Sequence, residues 1–148
     1  MLALIGFVGL SLLVLAAHAA LSADGAPGPA RVRWPEPGWA SAVLYPLTGL
    51  AAWLVWRRVD VALDRKRAAL RIWGWQLLLS GLWPAALFGA HSVVAALAVM
   101  AMLLVAVGLT VRAFLQLQRP AALLLASYAL WLCWAAYMTI DYFWFAAV

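Results

Sequence analysis

Two sets of residues recur at helical spacing inside stretches that are otherwise apolar. In WGWQLLLSGLWPAALFGAH (73–91) they are Gln76, Ser80, Trp83 and Leu87; in SYALWLCWAAYMTID (127–141) they are Ser127, Trp131, Trp134, Met138 and Asp141. Residues three and four apart share one face of a helix, so each set forms a stripe of indoles broken by a few polar groups. Broad apolar rings with isolated donors and acceptors suit recognition of a flat ligand, the rings stacking and the polar groups orienting its edge. Bond-breaking chemistry is poorly provided for. One cysteine (Cys133) and two histidines (His18, His91) make no dedicated metal centre, and the sequence offers no nucleophile–base pair and no phosphate-binding loop. A second reading is equally physical: rings and small polar groups also hold packed helices together in a membrane. The two readings stand side by side at this point.

The elements that must carry these stripes follow from composition. The 148 residues are 69% hydrophobic and 10% charged, with a mean hydropathy of +1.01. Soluble domains carry roughly a quarter charged residues, so this chain cannot cover a water-facing surface and reads as an integral membrane protein. A bilayer core needs about 20 apolar residues per helix. Five stretches qualify, at about 2–21, 39–56, 69–89, 93–117 and 121–146, and they predict one all-α domain, a bundle of five transmembrane helices. The alternation expected of barrel strands is absent. Between the first two helices lies SADGAPGPARVRWPEPG, an irregular Pro/Gly-rich loop at 22–38. LVLAAHAALSADGAP could also be read as the end of a cleaved signal. The flanking MLALIG has no Lys or Arg and the apolar run is long, so a retained helix is the reading adopted.

Charge sets the expected orientation. Arg57, Arg58, Arg65, Lys66, Arg67 and Arg71 face only Asp60 and Asp64 in the second loop, and Arg112 and Arg119 flank the fourth, whereas Arg31 and Arg33 are balanced by Asp24 and Glu36 in the first. The positive-inside rule puts the second and fourth loops in the cytoplasm, which predicts a cytoplasmic N-terminus and an outer C-terminus; the membrane expected is a bacterial inner membrane. The excess of basic residues is thus explained by topology, and no nucleic-acid partner is expected. Interfacial belts account for Trp53, Trp56, Trp73, Trp75 and Trp144, but not for Trp131 and Trp134 in mid-helix. Asp141 is an acidic group inside a spanning segment, where ionisable residues are costly and usually functional. Its expected partners are Arg31, Arg33 or His91, which share its side; a snorkelling surface carboxylate is the alternative. Pro84 is expected to kink the third helix.

Four pieces of the chain, in order, resemble the TspO/MBR family, also called tryptophan-rich sensory proteins or translocator proteins. WPEPGW (34–39) is similar to the family's W-x-P-P-x-W loop signature and LYPLTGLAAWLVWR (44–57) to its second helix. WQLLLSGLWPAALFGAH (75–91) is similar to its third helix and SYALWLCWAAYMTID (127–141) to its fifth. The resemblance implies a five-helix bundle with a pocket under the first loop. It also implies binding of a tetrapyrrole such as protoporphyrin IX, or of a sterol-like ligand. Carried over residue by residue, the pocket would draw on Trp34, Trp39, Tyr45, Gln76, Ser80, Trp83, Phe88, Trp131, Trp134, Ala135, Met138 and Asp141. The family's asparagines on helices three and five are Ser80 and Asp141 here, its proline before the helix-five tyrosine is Ser127, and the segment between PGW and VLY is shorter. These differences fall at the expected ligand and leave the scaffold intact, as in a divergent member.

The expectation is therefore a membrane receptor, carrier or sensor. No cofactor is obligatory, and the lipid bilayer and a tetrapyrrole or lipid are its partners, in a homodimer or a larger membrane complex. An accessory subunit of a pigment–protein complex is the alternative. Porphyrin breakdown ranks lower, because it would require a photo-excited ligand.

Overall fold

The computed structural model describes residues 1–22 and 38–146, with side chains at 1–22 and 39–141. Five helices account for nearly all of this: α1 (Leu2–Ser22), α2 (Gly38–Trp56), α3 (Leu63–Pro84), α4 (Val93–Leu117) and α5 (Arg119–Ala146), with a single π-turn (Ala85–Gly89) continuing α3. Of these, α1, α2, α4 and α5 are long and apolar enough to cross a membrane. The charged first turns of α3 set it apart, although no charged residue occurs from Ile72 to Gly89.

Four of the expected segments agree with these helices to within two residues at either end. The third begins six residues earlier than its apolar stretch, at Leu63 rather than 69. LDRKRAAL is polar but built from good helix formers, and Asp64 in the first turn complements the helix dipole. Hydropathy marks only the part of a helix that lies in the bilayer. The first turns of α3 are helical for reasons of backbone propensity.

α1 packs on α2 and α3, α2 on α5, α3 on α4, and α4 on α5. α1 and α2 run antiparallel, with Phe7 beside Trp56 at one end and His18 beside Tyr45 at the other. Their closest approach is at Gly49. A Cβ built there would lie 2.7 Å from the Phe7 carbonyl oxygen and 2.9 Å from Val8 Cα. Small residues permit such close helix contacts in lipid, where van der Waals packing replaces the hydrophobic drive.

Hydroxyls buried between helices satisfy themselves locally. Ser11, Ser80, Thr110 and Thr139 each donate to the carbonyl four residues back, at 2.7–3.1 Å, so burial leaves no unpaired donor on these side chains.

Pro84 changes the helix rather than ending it. Its nitrogen cannot donate to the Ser80 carbonyl, and one turn later the ladder slips by one residue: Ala90 N–H reaches the Ala85 carbonyl at 2.9 Å. The expected kink thus takes the form of a π-turn, a feature often found beside functional sites. His91 then adopts φ 51°, the left-handed region that histidine enters more readily than most residues. Ser92 caps α4 by accepting from Ala95 N–H at 3.3 Å. The exposed His91 is a turn residue.

Candidate functional site

The inward faces of four helices meet at a ring of aromatic side chains. His18 of α1 lies 5.8 Å from Trp83 of α3 and 6.1 Å from Tyr45 of α2, centroid to centroid. Tyr45 stands edge-on to Tyr128 of α5 at 6.1 Å, and Tyr128 stacks on Trp131 at 6.1 Å. Edge-to-face and offset-stacked pairs are the favoured arrangements of such rings. Two polar links tie the ring together: His18 Nδ1 and Tyr45 OH are 3.3 Å apart, and Ser80 Oγ and Tyr128 OH 2.9 Å apart. With Met100, Leu103, Leu132 and Ala135 these groups enclose a cavity of about 10 Å³. That is room for about one water molecule, whereas drug-sized ligands occupy roughly 300–1,000 Å³. The aromatic site is assembled and closed.

Backbone features mark the same place. Tyr45 and Trp83 each precede a proline inside a helix, Pro46 and Pro84. Each proline removes one rung of the helical ladder next to a ring of the site. Phe88, on the π-turn, stands edge-on to Trp83 at 6.1 Å. The indole N–H of Trp131 and the side-chain carbonyl of Gln76 are buried without a hydrogen-bond partner among the described residues. Gln76 is 1% exposed, so its orphaned oxygen carries a real desolvation cost.

The sequence-expected residues divide three ways. Tyr45, Ser80, Trp83, Trp131 and Ala135 line the cavity. Gln76 and Phe88 lie one contact behind it, through the Ser80 hydroxyl bonded to the Gln76 carbonyl and through Trp83. The others stand elsewhere. Trp39 is 71% exposed and Trp134 36% exposed, so neither belongs to the described cavity. Met138 and Asp141 are half-buried and outside it. Trp34, with Arg31 and Arg33, falls outside the described residues. Asp141 forms no ion pair with any described residue, the exposed His91 included.

The correction on α5 has a physical cause. Its inward face runs through Ala121, Leu125, Tyr128, Leu132, Ala135 and Thr139, one residue out of phase with the stripe from Ser127 to Asp141. Small residues on that face let α5 approach its neighbours, and an outward indole meets lipid as apolar as a protein core. Hydrophobicity therefore cannot say which face of a membrane helix points inward. Sequence reasoning also missed His18, Met100, Leu103, Tyr128 and Leu132. His18 carried a signal: an ionisable residue within an apolar segment faces the bundle interior as a rule.

The opposite end of the bundle holds the basic loop. Arg58 pairs with Asp60, its Nε donating at 2.7 Å, and the guanidinium holds the Asp60 carboxyl below the usual carboxylate range. Lys66 donates to the Arg58 carbonyl at 2.7 Å and lies over Trp56 at 5.8 Å, tying the start of α3 to the end of α2. Arg57 lies over Trp53 at 4.9 Å.

Among the described residues there is no cluster of His, Cys, Asp or Glu able to hold a metal ion. No curated protein matches the chain. The sequence model of the TspO/MBR family, by contrast, matches residues 7–145, a span that includes most of every helix and every ring of the cavity. This integral membrane chain belongs to the TspO/MBR family.

Proposed function

We propose that this protein is a membrane receptor or carrier for a flat, mostly apolar ligand of the tetrapyrrole class, held among His18, Tyr45, Trp83, Tyr128 and Trp131. The single observation behind this reading is the convergence of five rings from four helices on one enclosed point. α3, read here as a further membrane span beside α1, α2, α4 and α5, carries Ser80 and Trp83 to that point.

A macrocycle requires the rings to part. α1 is the wall best suited to move: of its residues only Ser11 and His18 are buried, and its packing partners are α2, α3 and the π-turn. Displacing its His18 end exposes the cavity and lifts Val14 and Leu15 off the core, whose buried residues on α2, α3, α4 and α5 keep one another as partners. The proline-softened turns at Tyr45 and Trp83 allow their rings to follow. The basic loop supports a cytoplasmic N-terminus, with the aromatic site nearer the outer face of a bacterial inner membrane. Binding without chemical turnover is the reading adopted, with the His18–Tyr45 and Ser80–Tyr128 pairs acting as links between helices.

Protein purified without added ligand and then titrated with protoporphyrin IX in detergent tests this. Saturable quenching of tryptophan fluorescence, together with a shifted Soret band at one ligand per chain, is the expected result. Quenching that rises linearly without saturation would mean partition into the micelle and would refute the receptor reading. The outward row Leu130, Trp134 and Tyr137, all exposed, favours a second reading as an accessory subunit of a larger complex; a stoichiometric protein partner on mild purification would support it.

A further inference from the structure

A second, chemically different groove lies at the basic end of the bundle. It has a volume of about 660 Å³ and is lined by Trp56, Arg67, Leu70, Arg71, Gly74, Trp75 and Leu78. Arg67, Arg71, Gly74 and Leu78 follow one another at three- and four-residue steps, so they lie along one face of α3. Over about 16 Å at 1.5 Å per residue that face passes from two guanidiniums to a bare backbone to an apolar side chain. A Cβ built on Gly74 meets nothing within 4 Å, so the floor of the groove is open there. Trp56 and Trp75 are both exposed. Trp56 is held in place by Phe7, 6.3 Å away, and by Lys66.

The charges of this groove are uncommitted. Arg57 is occupied by Trp53, Arg58 by Asp60, and Lys66 by the Arg58 carbonyl and Trp56. Arg67 and Arg71 have no ion pair, hydrogen bond or ring contact with any described residue. Two exposed guanidiniums, four residues apart at the end of an apolar channel, are free to take an anion from outside the chain. The order of groups along α3 matches the polarity of a phospholipid, with its phosphate at Arg67 and Arg71 and an acyl chain running past Leu70, Gly74 and Leu78. Arginine forks suit phosphate oxygens, and tryptophans favour the headgroup level.

We propose that this groove is a binding site for an anionic phospholipid, distinct from the aromatic cavity. A basic residue near a membrane surface contributes about fivefold to affinity for anionic lipid, so the pair should give roughly a 25-fold preference for an anionic over a zwitterionic headgroup.

The test is competitive retention of phosphatidylglycerol and phosphatidylcholine by the detergent-purified full chain, read by native mass spectrometry. Wild type should retain phosphatidylglycerol preferentially. Arg67→Gln with Arg71→Gln should remove most of that preference. Gly74→Leu, whose Cβ meets nothing within 4 Å, should lower retention of both lipids at a thermal midpoint no lower than that of wild type. Trp131→Leu should leave lipid retention as in wild type, which separates this site from the cavity. Equal retention of the two lipids by wild type, or an unchanged preference in the double variant, overturns the proposal. Displacement of the lipid by millimolar inorganic phosphate would overturn it too, by showing a simple anion site.

Discussion

Replacing Gly49 with alanine should destabilise the bundle by about 1–3 kcal/mol, the usual cost of overpacking a filled contact. Glycine to alanine inside a helix normally works the other way, adding up to about 1 kcal/mol through helix propensity. The sign reverses here because the added carbon would sit 2.7 Å from the Phe7 carbonyl oxygen, 2.9 Å from Ser11 Oγ and 2.9 Å from Val8 Cα. Two of those three atoms are backbone, so no rotamer change relieves the clash and α1 must move off α2. Moving α1 also strains the 3.5 Å contact of Ser11 and Thr48 hydroxyls and the His18–Tyr45 link above it. Gly108 is the control, since a Cβ there meets nothing within 4 Å. Thermal unfolding in detergent should therefore show Gly49→Ala below wild type and Gly108→Ala at or above it. A Gly49→Ala protein as stable as wild type would mean that α1 and α2 are not in close contact.

Tyr128 should be the most sensitive single side chain of the aromatic ring. It is 2% exposed, stacks on Trp131, meets Tyr45 edge-on, and shares a hydrogen bond with Ser80. Truncating a buried ring to alanine costs about 3–5 kcal/mol in water-soluble cores. The lower end applies here, because a membrane helix loses packing rather than transfer from water. Tyr128→Phe keeps the ring and removes only the hydroxyl. Ser80 still donates to the Gln76 carbonyl at 2.9 Å, so the cost should stay near 1 kcal/mol. The pair separates ring packing from hydrogen bonding: comparable losses in Tyr128→Phe and Tyr128→Ala would show that the polar link dominates.

How much of this was legible in the sequence depended on which force each feature answers to. The helices answer to the bilayer, and apolar run length located them. The start of α3 answers to helix propensity in water, which a hydropathy reading does not see, hence the missed turns from Leu63. The inward face of α5 answers to close packing between helices. Trp134 and Tyr128 are equally acceptable to lipid and to a core, and it is the alanines at 121, 122, 135 and 136 that mark the inward face. Ser80 and Gln76 were legible because polar side chains of membrane helices commonly hold neighbouring helices together. The same logic applies to His18, whereas Asp141, five residues before the end of α5 at Ala146, lies near a helix end where a carboxylate can reach water. Pro46 and Pro84 were visible as letters, but their placement beside Tyr45 and Trp83 at one cavity emerges only when α2 and α3 are packed.

The proposed ligand site is the aromatic cavity and not the outward indole row. Parallel protoporphyrin IX titrations of wild type, Trp131→Leu and Trp134→Leu test it most directly. Trp131 stacks on Tyr128 and lines the cavity; Trp134 sits one turn further along α5 and faces outward. Loss of one stacking partner is worth on the order of 1 kcal/mol, and removal of the larger surface adds to it. Trp131→Leu should therefore weaken binding roughly tenfold, while Trp134→Leu leaves the curve unchanged. A loss confined to Trp134→Leu, with Trp131→Leu binding as wild type does, would exclude the cavity and place the ligand on the outer face of α5.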